Sequence, residues 1–594
     1  MTFTAVTFAP VQSFIRSSRK LRDLYGSSLL LSHLARALYN DATKINPEAV
    51  ISPAEVSGTR GVPNTLLIQG SYSRAEAEQA LLTAWAATLK ACRDWLEQIL
   101  TGSPLDPGDW DTSWGPCWKA CARHSWELFH GQGASIAAAE HALSLHKQAR
   151  AWEIPNWTGE SSTLSSTQAV VRPRMAEKHD PRRLSEAESE AQRQEARDFL
   201  QRLCQHQALG EAFAGTNEEI SLTELVKRLV TYPVVAAKAF QVPAAELPQI
   251  IPSRFNSLSA VSGADKDPPE SIVWFMADGD KVGDYIRSRS KSGDEVRARR
   301  TFSSGMRQWA ANLYTQVPQE MGADRATLVY AGGDDLFGAL HERQPGARDL
   351  SRDDLFRWLR LFPSLWKRHR QPLTASMGLV WADSQVPQRE ALQQARDAEA
   401  AAKARGRDRF ALRLVYAGGN HLQWTCPWSW LDPILHSYRD REGRCWPGEP
   451  DTAERRGDPR KWRHLAEDLL WLQERHAIGE AIPPVATAEA QPTPLAKADS
   501  LAKTSAAAKT DAPAKANAPA NANAVARALL DAYFPDLKLP LLPAESSPPE
   551  PRPGFAPSLD QPERGRQLHQ WLIDLGQVMA GLERWRDGLK ESPR

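Results

Sequence analysis

At 594 residues the chain exceeds one ordinary domain, and a norm of about 150 residues per domain predicts roughly four. Hydrophobic residues at 42% and charged residues at 24% describe a globular protein and exclude a fibrous or wholly unfolded one. Lys and Arg number 73 against 72 Asp and Glu, which excludes nucleic-acid binding through a whole-surface positive field but leaves room for a local basic groove.

No apolar run reaches the roughly 18 residues needed to span a bilayer. The short apolar N-terminus precedes Arg16, Arg19, Lys20 and Arg22, the reverse of a secretory signal. A cytoplasmic location with no membrane partner is therefore expected. Six cysteines are too sparse for a disulfide scaffold. Cys117 and Cys121 have helical spacing and could join Cys92 and Cys204, but a set so scattered reads as buried thiols. His141 and His146 read as surface or core residues.

In chain order, Ala176 to Arg197 is dense in Arg and Glu, which predicts a solvated helix with opposite charges at i,i+4 spacing. Ile272 to Ala277 (IVWFMA) is a continuous apolar run ending in Asp278-Gly279-Asp280, the pattern of a buried strand with carboxylates at its C-terminal end. A helix is predicted over residues 294 to 316. Two short strands, Thr327 to Ala331 and Leu336 to Leu340, flank Gly332-Gly333-Asp334-Asp335, which is hairpin chemistry. A helix over Asp353 to His369, a strand over Thr374 to Trp381, a helix over Pro387 to Arg405 ahead of Gly406, and a strand over Arg409 to Val415 complete the series. The order β-α-β-β-α-β with an added αβ unit is that of ferredoxin-like and palm domains. Of 42 prolines, 15 fall between Pro483 and Pro562, and residues 485 to 526 hold only Val485, Leu495, Leu501 and Val525 as large apolar side chains, so a flexible Ala/Pro linker is expected there. Beyond it, Leu568, Trp571, Leu572, Leu575, Met579, Leu582 and Trp585 recur at helical spacing.

Adjacent central strands would bring Asp278 and the Gly-Gly-Asp-Asp hairpin together, so three carboxylates converge. Oxygen-only ligands favour hard divalent cations, and two ions about 4 Å apart can activate a hydroxyl and stabilise a leaving pyrophosphate. Gly332 and Gly333 leave the backbone bare for a nucleotide. Lys403 and Arg407, at a helix end with Gly406, could hold a triphosphate; compensation of the helix dipole is the plainer alternative.

The segments MADGDKVGDYI (Met276 to Ile286), YAGGDDLF (Tyr330 to Phe337), TASMGLVWA (Thr374 to Ala382) and AKARGR (Ala402 to Arg407) resemble the palm domain of the large subunit of type III-B CRISPR (Cmr) effector complexes. FAPVQSFIRSSRKLRDLYGSSLLLSHL (Phe8 to Leu34) is similar to that family's opening motif, and PNTLLI (Pro63 to Ile68) and IPSRFNSLSAVS (Ile251 to Ser262) match further landmarks in order. The resemblance implies an α/β (α+β) protein with two ferredoxin-like cyclase or palm domains: residues 1–150, a mostly helical insert at 151–262, the GGDD palm at 263–416, and a C-terminal helical domain at 417–594 interrupted by the linker. FTAVTFAPVQSFI and IVWFMADGDKVGDYI share a strand-turn-helix outline, but only the second has carboxylates.

That resemblance further implies a sensor in which a crRNA-guided complex with other Cmr subunits recognises target RNA and the palm joins ATP into cyclic oligoadenylate. Carried over, Asp278, Asp334 and Asp335 are ligands of two Mg²⁺ or Mn²⁺ ions, with the Gly279 carbonyl as a fourth donor and Lys403 and Arg407 as phosphate contacts. The chain departs from its relatives twice. The first cyclase-like motif starts at Phe3, leaving no room for an HD nuclease domain, and the one His-Asp pair, His179-Asp180, lacks partner histidines, so no DNase activity is expected. Where relatives carry paired Cys-x-x-Cys knuckles, Ser162 to Ser165 and Ser221 to Glu224 stand instead, so zinc is not expected. Two alternatives remain: a diguanylate-cyclase-like enzyme, and a scaffold subunit with an inactive palm.

Overall fold

The computed structural model describes residues 1–44, 46–54, 61–101, 110, 114–149, 160–165, 168–175, 185–210, 213–215, 218–243, 245, 247, 251, 272–290, 294–322, 325–341, 350–383, 385–445, 460–475, 525, 528–537 and 562–588. The residues His179-Asp180, nearly all of the Ile251 to Ser262 motif and nearly all of the expected 485–526 linker lie outside them. The chain divides into two compact units, Met1–His421 and Leu422–Arg594.

The first unit opens with β1 (Phe3–Ala9), α1 (Gln12–Arg16), α2 (Leu21–Ala42), β2 (Val50–Ser52), β3 (Thr65–Gln69), α3 (Arg74–Leu100), α4 (Trp114–His124), β4 (Glu127–Gly133) and α5 (Ile136–Gln148). Its sheet has the order β2-β3-β1-β4 with antiparallel pairs, the ferredoxin-like arrangement expected from the sequence. Strand alternation divides β1 between two cores: Val6 and Phe8 pack with Leu29, Leu34 and Trp85, while Phe3 and Ala5 pack with Leu67, Phe129 and Leu143.

Three helices follow, α6 (Glu186–Gln205), α7 (Leu222–Leu229) and α8 (Pro233–Phe240). The charged stretch is helical from Glu186 and mostly open to solvent, as expected, with Gln192 and Ala196 buried and Arg193 paired with Glu160 and Glu219 on other segments; the buried Phe199, Leu200 and Leu203 follow it on the same helix. Arg228 on α7 is fully buried; its Nε donates to Asp23 Oδ1 at 2.7 Å, and Nη1 to the Phe213 carbonyl at 2.9 Å and to Glu218 Oε2 at 2.5 Å. Lys227 Nζ donates to the carbonyls of Phe14 and Ser17, and burial pushes its ammonium down to about 8. The buried cations of α7 thus bind it to α1 and α2 of the opening motif.

The second sheet is built from β5 (Ile272–Gly279), α9 (Val282–Ser290), α10 (Glu295–Met321), β6 (Ala326–Gly332), β7 (Asp335–Leu340), α11 (Arg352–Lys367), β8 (Ala375–Ala382), α12 (Gln388–Ala404) and β9 (Arg409–Val415). Within this unit its strands follow the order β9-β8-β5-β7-β6, with β9 parallel to β8 and the other pairs antiparallel. Every predicted strand and helix of the region is present, with α9 inserted ahead of α10. The Asp294 carboxylate caps α10 and a Ser351–Asp354 capping box starts α11. Phe275 packs against Trp358 of α11 at 4.4 Å between centroids, whereas Trp274 and Met276 face α12 together with Ile15 and Leu24 of the first domain. Gly378 decides how closely α12 approaches: a Cβ there would lie 2.2 Å from the Ala395 carbonyl oxygen. A bare strand position against the Ala391, Ala395, Ala398 and Ala402 face lets α12 sit directly on β8.

The second unit contains β10 (His421–Pro427), α13 (Leu431–Ser437), α14 (Arg463–Glu474) and α15 (Pro562–Gly588). The last is the helix expected from the apolar spacing, and Leu572, Leu575, Met579 and Leu582 are buried on it. Among the described residues, no helix is long and apolar enough to cross a membrane.

Candidate functional site

Because β5 lies between β7 and β8, its C-terminal end meets both the β6–β7 hairpin and the start of β8. Ala277 pairs with Leu336, and Asp278 with Ser376. Asp278 therefore projects next to the turn that carries Asp334 and leads into Asp335. Gly333 has φ +67, a left-handed value that suits glycine at a hairpin tip. Asp334 packs over Gly279, where a Cβ would lie 2.9 Å from Asp334 Cβ and 3.2 Å from its Oδ2.

Mutual crowding marks these carboxylates. Burial and the Asp278 charge push Asp334 up to about 6, against the pull of a backbone hydrogen bond and Lys403. Asp335 keeps an exposed side chain. Burial of its carboxyl among neighbouring groups, a hydrogen bond shared with Asp278 and the charges of Asp278, Asp334 and Glu399 nonetheless hold it well above the ordinary range. A divalent cation would relieve this repulsion, so the all-oxygen donor set has the chemistry a hard metal requires.

In this conformation Asp278 is already paired with a cationic side chain. Lys403, in the last turn of α12, donates to Asp278 Oδ2 at 2.5 Å and pairs with Glu399 Oε1 at 2.6 Å. Burial opposes its charge, but these two bonds outweigh that and raise its ammonium. Among the described residues, no group of three or more His, Cys, Asp or Glu side chains is arranged to hold a metal ion. Arg407 lies in the α12–β9 turn with φ 64, and no hydrogen bond or ion pair links it to the three carboxylates among the described residues.

The structure thus brings together Asp278, Gly279, Gly332, Gly333, Asp334, Asp335 and Lys403, and sets Arg407 one turn beyond. Glu399 went unnoticed in the sequence, although its place four residues before Lys403 on a helix is a legible signal. Also missed is a brace from the first domain. Gly61, before β3, has φ +61, and a Cβ there would lie 1.8 Å from the Ala331 carbonyl oxygen. The Gly61 carbonyl accepts from Arg307 of α10, and Tyr314 Oη receives the Ala331 N–H at 2.9 Å, so the hairpin is backed by α10 and by the first domain. Burial and the nearby Asp335 charge push the Tyr330 phenol up, keeping it neutral behind the turn.

Elsewhere, the two serine-bearing segments meet: Glu224 Oε2 accepts from Ser162 Oγ and from the Ser221 N–H, each at 2.7 Å. Cys92, Cys117, Cys121 and Cys204 are free thiols, all raised by burial, Cys121 to about 12.

Residues 272–411 match the family model of the Cas10/Cmr2 second palm domain, and residues 3–87 match that of the CRISPR-associated protein Cmr2 N-terminal domain. Among solved structures, the chain is similar to a type III-B Cmr-beta complex in its apo state (10% identity, TM-score 0.47, 81% of this chain and 75% of that chain). It is also similar to a Csm1-Csm4 cassette in complex with cA4 (12% identity, TM-score 0.38, 80% of this chain and 62% of that chain). The apo Csm1-Csm4 cassette gives 13% identity and a TM-score of 0.38 over the same shares, so the chain spans 62% of the length of the cassette chain it matches. The sequence matches no curated protein at a significant level.

Proposed function

This chain carries the N-terminal domain of Cmr2 and the second palm domain of Cas10/Cmr2, and on that premise we propose that it is the large subunit of a crRNA-guided type III-B effector that converts ATP into cyclic oligoadenylate when target RNA binds. The observation that carries the reading is the convergence of Asp278, Asp334 and Asp335 at neighbouring strand ends, with Asp334 and Asp335 held proton-rich by burial and by the Asp278 charge. A divalent cation would relieve the repulsion within this cluster.

Asp278, Asp334 and Asp335, with the Gly279 carbonyl, would hold Mg²⁺ or Mn²⁺. When bound, the metal supplies an activated 3′-hydroxyl and charge neutralisation at the departing pyrophosphate. The remaining work belongs to the chain's own residues. The bare Gly332-Gly333 backbone admits the nucleotide, and Lys403 and Arg407 receive its phosphates. The reaction is attack of one ATP 3′-hydroxyl on the α-phosphorus of another in line with pyrophosphate, so positioning and electrostatics suffice and no covalent nucleophile is needed. Lys403 neutralises Asp278 in this arrangement, and its ammonium would be available to phosphate were a cation held at Asp278 in its place. A second reading, a scaffold with an inactive palm, draws on that same Lys403–Asp278 bond as a permanent block.

The test is incubation of the assembled complex with labelled ATP, Mg²⁺ or Mn²⁺ and cognate target RNA. Cyclic products are expected from the wild type and none from Asp334→Ala with Asp335→Ala; product from the double variant overturns the metal-site assignment. GTP as sole substrate separates oligoadenylate from diguanylate synthesis. Absence of any product from the wild type favours the scaffold.

A further inference from the structure

The second acid of the Asp278-Gly279-Asp280 run takes no part in the carboxylate cluster. Asp280 is 5% exposed and fully engaged. Its Oδ1 accepts from Ser376 Oγ at 2.7 Å, its Oδ2 accepts from Thr374 Oγ1 at 2.8 Å and from the Asp408 N–H at 2.9 Å, and its own N–H donates to the Thr374 carbonyl at 2.8 Å. These four bonds join three segments: the end of β5, the start of β8 and the turn between α12 and β9.

That turn is strained. Gly406, Arg407 and Asp408 have φ of 118, 64 and 49, three consecutive left-handed residues. Two of them carry a Cβ, which the left-handed region disfavours. Such a backbone persists only where its surroundings over-determine it, and the Asp280 carboxylate supplies an anchor at the third of these residues. Lys403 lies one turn upstream and Arg407 lies within the turn itself.

We propose that Asp280 is a positioning residue that fixes the end of α12 and its left-handed turn against β5 and β8, and so sets Lys403 and Arg407 relative to Asp278. Their service to a nucleoside triphosphate rests on the function proposed above; the hold of Asp280 on the turn does not. The bonding pattern also distinguishes this role from metal ligation. Asparagine can keep its amide oxygen at the Oδ2 position for the Asp408 N–H and turn its NH₂ to Ser376, whose hydroxyl accepts as readily as it donates. Charge is therefore dispensable, whereas the acceptor geometry is not.

The experiment compares Asp280→Asn, Asp280→Ala and Asp280→Ala with Asp408→Gly in the full chain within its assembled complex. Two quantities are read: amide hydrogen exchange over residues 405–409, and KM and kcat for ATP with Mg²⁺. Asp280→Ala is expected to accelerate exchange there and to raise KM about 10-fold with a smaller change in kcat. Asp280→Asn is expected to remain within about threefold of wild type in both readings. Asp408→Gly is expected to restore much of the loss, because glycine adopts the left-handed value without an anchor. Should Asp280→Ala not fold, Asp280→Ser, whose hydroxyl falls short of the Asp408 N–H, replaces it with the same expectation. Loss of turnover in Asp280→Asn comparable to that in Asp334→Ala would make Asp280 a ligand and overturn the proposal, as would unchanged exchange and KM in Asp280→Ala. If wild type converts no ATP, the nucleotidyl-transfer reading fails, and the exchange data alone still decide whether Asp280 holds the turn.

Discussion

The two sheets of the first unit share a four-strand order, β2-β3-β1-β4 in one and β6-β7-β5-β8 in the other, and differ in what their strand ends carry. In the first, β1 ends at Phe8 and Ala9, and the connection from β2 to β3 runs from Pro53 to Asn64. In the second, β5 ends at Asp278 and Gly279, and the corresponding connection is the two-residue turn Gly333-Asp334. One sheet uses that connection to place carboxylates; the other sends Gly61 from it to the back of the carboxylate hairpin. The same topology thus yields a carboxylate cluster once and a brace for that cluster once. Topology fixes where a site can form, and the residues at the strand ends decide whether one does.

The comparison predicts that charges in the first domain and its helical insert serve stability while those of the second palm serve chemistry. The largest effect is expected from Arg228→Ala, which strands the buried carboxylates of Asp23 and Glu218 and should cost about 3–5 kcal/mol in denaturant unfolding. Next, Asp278→Ala should lower ATP conversion by about 100-fold or more with little change in melting temperature. A smaller effect follows from Gly61→Ala. Its methyl would meet the Ala331 carbonyl at a left-handed φ, so about 1–3 kcal/mol of stability is expected to be lost, with a severalfold fall in turnover as the hairpin shifts. Intact turnover with normal stability in that variant would break the link between the domains.

The mildest prediction concerns pH. Asp334 is raised above its unfolded value, to about 6, so the metal-free folded state binds the extra proton. Stability of the metal-free chain from this group is present at low pH and declines as pH rises toward about 6, where the carboxylate ionises. Metal binding runs oppositely, since it requires the ionised form. Mn²⁺ affinity should weaken as pH falls through about 6, which calorimetry at a series of pH values would reveal.

The second palm was almost wholly legible in sequence because its strands are continuous apolar runs and its turns are spelled in glycine and aspartate. The order of IVWFMA, TLVYA, LFGAL and TASMGLVWA already determines that β5 is central, and from that the meeting of Asp278 with Asp334 follows. What could not be read are contacts whose partners are distant in the chain. The opening segment FIRSSRKLRDLY is rich in charge, yet its Asp23 finds Arg228 some two hundred residues later, and no local spacing announces that pair. Nor does spacing tell which acid of Asp278-Gly279-Asp280 faces the cleft. Asp280 is claimed by Thr374, Ser376 and the Asp408 amide, a pairing made only when β8 and the α12–β9 turn close on β5. The charged stretch near residue 190 is helical and mostly exposed as its pattern predicts, but spacing does not show that Arg193 answers Glu160 and Glu219 across the fold.

The central claim is that the carboxylates of the second palm form a divalent-cation site. Its most direct test is Mn²⁺ binding to the full chain, followed by electron paramagnetic resonance in the presence of a non-hydrolysable ATP analogue. Bound Mn²⁺ is expected with the wild type and is expected to be lost in Asp334→Ala with Asp335→Ala; equal Mn²⁺ binding by that double variant would contradict the account.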